Sequence, residues 1–167
     1  TNGDPMVAYR DASTGYKATV MRWDGSNWST VGNAGFTTGF AEGLCLVTSG
    51  NDEPVIAFQD GSNGNKITVM RWNGVLWQVI GPAGVSAGSA YSPSMVLDEN
   101  ENPIVAYQDA ANGNRITVIR WNGDTWSPIG PVGFTGGYSY SPSLALDAAG
   151  YPIVAFGDVS TGNRITA

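Results

Sequence analysis

The residues of this 167-residue chain that could do chemistry come in sets, and the spacing within each set is constant. Carboxylates stand at Asp11, Asp60, Asp109 and Asp158, each 49 positions from the next. Guanidinium groups precede a tryptophan on the same spacing at Arg22, Arg71 and Arg120. Two carboxylates flanking a sugar are the machinery of glycoside hydrolysis. A catalytic pair should be singular, however, and these Asp residues recur in every unit. They are expected to be structural, each closing a strand and accepting hydrogen bonds from the amides of the turn that follows. The chain has no His and a single cysteine, Cys45, so the usual nucleophile and base sets cannot be assembled. No catalytic residue is assigned, and the chain is expected not to be an enzyme. Cys45, between Leu44 and Leu46, reads as a small buried hydrophobe.

The turn Asp98-Glu99-Asn100-Glu101-Asn102 is rich in oxygen ligands and raises calcium, which needs about six or more oxygens in a fixed array. The equivalent turns Ser49-Gly50-Asn51-Asp52 and Asp147-Ala148-Ala149-Gly150 do not keep those ligands. Neither a metal nor a cofactor is expected. Eight basic against fourteen acidic residues give a net charge of -6, with no basic cluster to grip a phosphate backbone or an anionic membrane surface. No apolar run reaches spanning length, and the first residues lack the basic and apolar regions of a signal peptide. Few basic residues and abundant Gly, Ser, Thr and Asn are associated with exported bacterial proteins. An extracellular or cell-surface location is expected on that association, with any export signal outside this stretch.

The elements that must carry these side chains follow from the repeat. Pro5, Pro54, Pro103 and Pro152 share the 49-residue spacing, as do Trp23, Trp72 and Trp121, and again Trp28, Trp77 and Trp126. The units are residues 1–49, 50–98 and 99–147, with a partial unit at 148–167, and the second and third are identical at more than half of their positions. A period of this size belongs to solenoids and propellers. Within one unit, residues 93–98 form an apolar run, 103–109 a strand opened by Pro, 115–121 an alternating strand, and 126–130 a short edge strand marked by Pro128. Asn122-Gly123 reads as a tight hairpin turn in which both residues take positive φ. A Gly/Ser/Tyr-rich connection, 131–141, crosses to the next unit. No segment has helical periodicity.

Four short antiparallel strands followed by a longer crossing describe one blade of a β-propeller. Residues 93–98 are assigned to the innermost strand and the Trp126 strand to the outermost. Trp23, Trp72 and Trp121 are expected to be structural, filling the wedge between blades. The fold class is therefore all-β, with about fourteen strands in about three and a half blades. Closed rings take about four to eight blades. The chain is expected to be part of a larger ring, of about seven blades, or to self-associate through an open strand edge.

An apolar strand ending in Leu97-Asp98, a Pro-led strand over 103–109, and Trp121-Asn122-Gly123 before Trp126 together resemble bacterial tandem-repeat β-propeller proteins. The pattern is distantly similar to the NHL, Kelch and WD-repeat groups, without the Gly-Gly pair of Kelch or a Trp-Asp blade ending. Propellers host lectins, enzymes and scaffolds. The leading expectation is a non-catalytic scaffold that binds proteins, the alternative a multivalent glycan-binding propeller, and a glycosidase fragment is favoured least. Ligand-binding candidates are Trp28, Trp77, Trp126, Tyr91, Tyr140, Arg71 and Arg120. The connections 36–40, 85–91 and 134–140 place aromatics among glycines, either to stack on a sugar face or to plug blade junctions. Equivalent shallow pockets at successive blades would mark a lectin, one broad patch a scaffold, and one acidic central pocket an enzyme. The first inner strand, 43–49, departs from the pattern by losing a Pro and an Asp, which marks a specialised or a relaxed blade.

Overall fold

In the second strand of each unit after the first, Pro stands first, where its missing N–H breaks no ladder bond, and β-branched and aromatic residues follow. In β5 (Pro54–Asp60) and β9 (Pro103–Asp109) every residue is buried. A strand buried on both faces must lie inside a stack of sheets, and the arrangement of the chain bears this out. The computed structural model describes residues 3–167, and among them fourteen strands form four antiparallel sheets.

The first sheet holds β1 (Met6–Asp11), β2 (Lys17–Trp23) and β3 (Trp28–Thr30). The second orders β4 (Ala41–Thr48), β5, β6 (Lys66–Trp72) and β7 (Trp77–Val79), and the third orders β8 (Ala90–Leu97), β9, β10 (Arg115–Trp121) and β11 (Trp126–Pro128). The fourth holds β12 (Ser139–Leu146), β13 (Pro152–Asp158) and β14 (Arg164–Thr166). The chain is thus a partial β-propeller of repeated blades. The inner strands β4, β8 and β12 lie against one another, and the short Trp-led strands sit at the outer edge.

Three apolar layers, one at each junction, hold the blades together. Val20 and Ala18 meet Ile56 and Phe58 between the first two sheets; Val55, Ile67 and Val69 meet Met95, Val105 and Tyr107 between the second and third. Ile104, Ile116 and Val118 meet Leu144 and Phe156 at the last junction. Each fully buried Val, Ile or Phe contributes about 1.5–3 kcal/mol, so a blade gains its stability from its neighbours.

Two local details differ from the sequence reading. The inner strand starts earlier than residue 93, at Ala90, because a β-bulge between Tyr91 and Ser94 carries it past Pro93. The bulge residue has positive φ in each copy: 56° at Gly43, 50° at Ser92 and 49° at Ser141. The loop between Trp121 and Trp126 is not a two-residue turn, since Trp121 pairs with Trp126 across four residues and only Gly123 has positive φ. Asn122 stays at ordinary φ because its Oδ1 accepts the N–H groups of Asp124 at 3.0 Å and Thr125 at 2.8 Å. The segment 110–112 is a single turn of 3-10 helix capped by Gly113 in the left-handed conformation.

Candidate functional site

The repeated aspartates sit at the ends of β1, β5, β9 and β13 and cap the 3-10 turns. Asp60 Oδ1 accepts the N–H of Ser62 at 3.0 Å and its hydroxyl at 2.6 Å, while Oδ2 accepts from Thr68 at 2.8 Å and Asn63 at 2.8 Å. Asp109 repeats this with Ala111, Asn112 and Thr117. Burial alone would raise the Asp60 pKa, but the bonds from Ser62, Thr68 and Asn63 outweigh it and hold the group below its ordinary value. The Ser13 hydroxyl, with the amide of Ser13 and the Thr19 hydroxyl, lowers Asp11 likewise against the opposing effect of burial. A carboxylate saturated with donors in this way ties two strands and a turn together.

The outer-strand tryptophans reach across junctions. Trp77 Nε1 donates to the Val31 carbonyl of the preceding blade, and Trp126 Nε1 donates to the Ile80 carbonyl, both at 2.9 Å. Phe36 stacks on Trp77 with centroids 4.2 Å apart and planes 5° from parallel. Each leans on its blade partner, with Trp72 and Trp77 at 5.8 Å and Trp121 and Trp126 at 5.7 Å. Trp23 and Trp28 make the same pair at 5.7 Å, and Trp28 is exposed. A groove of about 230 Å³ runs beside Trp77, bounded by Gly32, Asn33 and Phe36. Of the connection aromatics, Phe134 packs edge-on to Phe156. Tyr140 covers Gly157, whose added Cβ would come within 2.6 Å of the ring. Tyr91 is exposed. These connections are knitted to the sheets through buried hydroxyls: Ser86 Oγ accepts the Ile67 N–H and donates to the Gly88 carbonyl.

The arginines before the inner tryptophans divide into two kinds. Arg22 donates to the Asp52 carbonyl, and Arg71 donates to the Glu101 carbonyl, each in the turn of the following blade. Arg120 makes no such bond among the described residues, and the Nε atoms of all three arginines are buried without a partner. Arg120 faces a cleft of about 490 Å³ between the third and fourth blades. Asp98, Glu99 and Asn100 form one wall of this cleft, and Asp147, Gly150 and Tyr151 the other. Asp98 Oδ1 accepts the N–H groups of Asn100 and Asn102, both at 2.9 Å. Asp147 Oδ1 does the same for Ala149 and Tyr151, both at 2.9 Å. Tyr151 is 69% exposed, which leaves its ring free to meet a ligand.

The structure therefore gathers one residue of the sequence-derived candidates, Arg120, with acidic turns that the sequence reading had weighed only for calcium. Tyr151 had not been singled out. Its signal lay in a departure from the repeat, since Glu53 and Asn102 occupy its place in earlier units. Ser49 also clarifies the departing first inner strand. Its Oγ accepts from Asn51 at 3.3 Å and Glu53 at 3.2 Å, a weaker version of the Asp98 cap. Cys45 Sγ accepts the Met95 N–H at 3.3 Å, the task Ser94 Oγ performs for Leu144 at 3.0 Å. Burial pushes the Cys45 thiol pKa up against the opposing pull of that amide. No helix among the described residues is long and apolar enough to cross a membrane.

No protein-family model matches the chain, and no curated protein sequence matches it. Solved structures do share its fold. A fucose lectin from Kordia zhangzhouensis, solved with methyl-fucoside, aligns at a TM-score of 0.53 and 18% identity over 78% of this chain and 93% of that one. An ulvan lyase aligns at 0.59 and 15% identity over 90% of this chain and 47% of that one. An α-L-arabinofuranosidase from Lactobacillus brevis aligns at 0.53 and 12% identity over 93% of this chain and 62% of that one. The chain thus spans nearly the whole of the lectin and less than two thirds of each enzyme.

The fold is a repeated all-β propeller shared with carbohydrate-active enzymes and a lectin, and not specifically with the NHL, Kelch or WD groups. The expectation that the chain is not an enzyme is corrected by the same finding. Most of these structures are glycoside hydrolases or a lyase, so the fold gives no ground for setting catalysis aside.

Proposed function

We propose that this chain is a carbohydrate-binding propeller whose ligand occupies the cleft between the third and fourth blades. The observation that carries the reading is the company of Arg120. An arginine without the carbonyl bond that Arg22 and Arg71 make, two acidic turns and an exposed tyrosine share one cleft of about 490 Å³, within the range of about 300–1,000 Å³ common for small-ligand sites. Sugars ask for this mixture. Their hydroxyls both donate and accept, matching carboxylates and a guanidinium, and their C–H faces pack on aromatic rings. The lectin that shares the fold was solved with a methyl-fucoside, and the ulvan lyase and the arabinofuranosidase also act on carbohydrate, which supports the same class of ligand here.

A glycan array probed with the labelled chain tests the reading. Binding to a defined set of glycans is expected, and Arg120→Ala should weaken it by about tenfold or more, as loss of a charge-assisted hydrogen bond does. Release of reducing ends from the bound glycans, followed in the same samples, reports any hydrolysis. An array with no binding above background for the folded chain would overturn the proposal.

A further inference from the structure

We infer that the chain carries one such site and not one per junction, and that it takes an uncharged, hydroxyl-rich sugar. This rests on the glycan-binding reading. The first junction has a smaller cleft of about 380 Å³ beside Gly3, Asp4, Thr48 and Asp52, but Arg22 is tied to the Asp52 carbonyl there. A residue change separates the second junction from the last. At the junction of the second and third blades, Glu101 occupies the place that Gly150 holds at the next one, 49 residues on. The Glu101 carboxylate reaches across the junction, where its Oε1 accepts the Gly50 N–H at 2.8 Å and its Oε2 is buried without a partner. Gly50 is covered closely enough that an added Cβ would lie 3.0 Å from Glu101 Oε1. Glu101 is thus a built-in plug, while the Glu101 carbonyl engages Arg71.

At the last junction the plug is missing. Gly150 has no side chain, a Cβ placed there would meet no atom within 4 Å, and Arg120 lacks the carbonyl bond that Arg71 makes. The residue equivalent to Gly50 is Glu99, which is exposed and forms a wall of the cleft instead of filling it. The position the Glu101 oxygens take at one junction is therefore open at the other, for oxygens brought by a ligand.

The walls decide what kind of oxygen. Ser49 and Gly50 at the plugged junction are replaced by Asp98 and Glu99 at the open one, and Asp147 completes the set. Three carboxylates facing one guanidinium repel a uronate or sulfate and offer acceptors to hydroxyl protons. A neutral sugar can donate to the carboxylates and accept from Arg120 at once.

Calorimetric titration of the whole chain with methyl glycosides of neutral hexoses and deoxyhexoses, with methyl glucuronide alongside, tests both halves. The expected result is a stoichiometry near one per chain, with the best neutral glycoside bound about tenfold or more tighter than the glucuronide. Gly150→Glu should abolish the signal with the fold retained at a somewhat lower melting temperature, since Gly150 sits at φ 80° while the equivalent turns carry Glu101 at φ 63° and Asp52 at φ 60°. Arg120→Gln, which leaves the turn untouched, should weaken binding about tenfold and carries the test if Gly150→Glu does not fold. Glycan binding with two or more sites per chain, with preference for the glucuronide, or undiminished in these variants would overturn the inference and leave the glycan-binding reading standing. An absence of binding to every glycan on the array and in the titration would overturn both.

Discussion

At the residue scale, the same carboxylate type does two jobs, and its hydrogen-bond count separates them. Asp60 and Asp109 have both carboxylate oxygens taken up by turn amides and side chains, whereas Asp98 and Asp147 accept turn amides on Oδ1 alone and, with Glu99, line the cleft. Asp60→Ala removes a turn cap and strands the buried Thr68 hydroxyl, and should cost about 2 kcal/mol in urea denaturation. Asp60→Asn tests the charge. Because the folded-state pKa of Asp60 lies below its ordinary 3.8, its stabilisation is complete above that value and is lost as pH falls through the lower, folded-state pKa. The variant should therefore lose less stability than the wild type between about pH 5 and pH 2, and identical acid limbs would contradict this. Cys45→Ser converts the position into its Ser94 equivalent and keeps an acceptor for Met95 N–H. A stability change within about 1 kcal/mol is expected, in contrast to Trp77→Phe, which orphans the Val31 carbonyl and should cost about 1–3 kcal/mol.

At the scale of elements, β9 and β10 are found over the residues that pattern alone assigned, 103–109 and 115–121, because strong alternation, flanking Gly and a leading Pro all act locally. The bulge at Ser92 was not legible, since nothing in Ser-Pro announces a positive φ before the strand is paired. The Asn122 turn was misread because a side-chain acceptor competes with the tight-turn geometry that Asn-Gly usually signals. The cleft was half legible. Arg120 stood among the candidates by its place beside Trp121, yet the openness of its cleft depends on Gly150 replacing Glu101 in a turn on another blade. That replacement was visible as a break in the repeat and acquires meaning only when the blades are stacked.

At the scale of the whole molecule, the tandem repeat supplies rigidity and its departures supply the candidate site. Apolar layers at three junctions, cross-blade indole bonds and shared turn caps fix the two walls of the cleft on separate sheets. Such a site is preorganised, so a sugar entering it orders little of the protein. Of the outer-rim tryptophans, which composition made attractive as sugar platforms, Trp77 and Trp126 have their N–H groups engaged by neighbouring blades. The measurement that decides between cleft and rim is an NMR titration of the nitrogen-15-labelled chain with the best-binding methyl glycoside. Binding in the cleft predicts shifts confined to the Arg120 Nε–H and to the amides of residues 98–100 and 147–151, with the indole N–H signals of Trp77 and Trp126 unmoved. Shifts centred on those indoles, with the Arg120 signal unchanged, would contradict it.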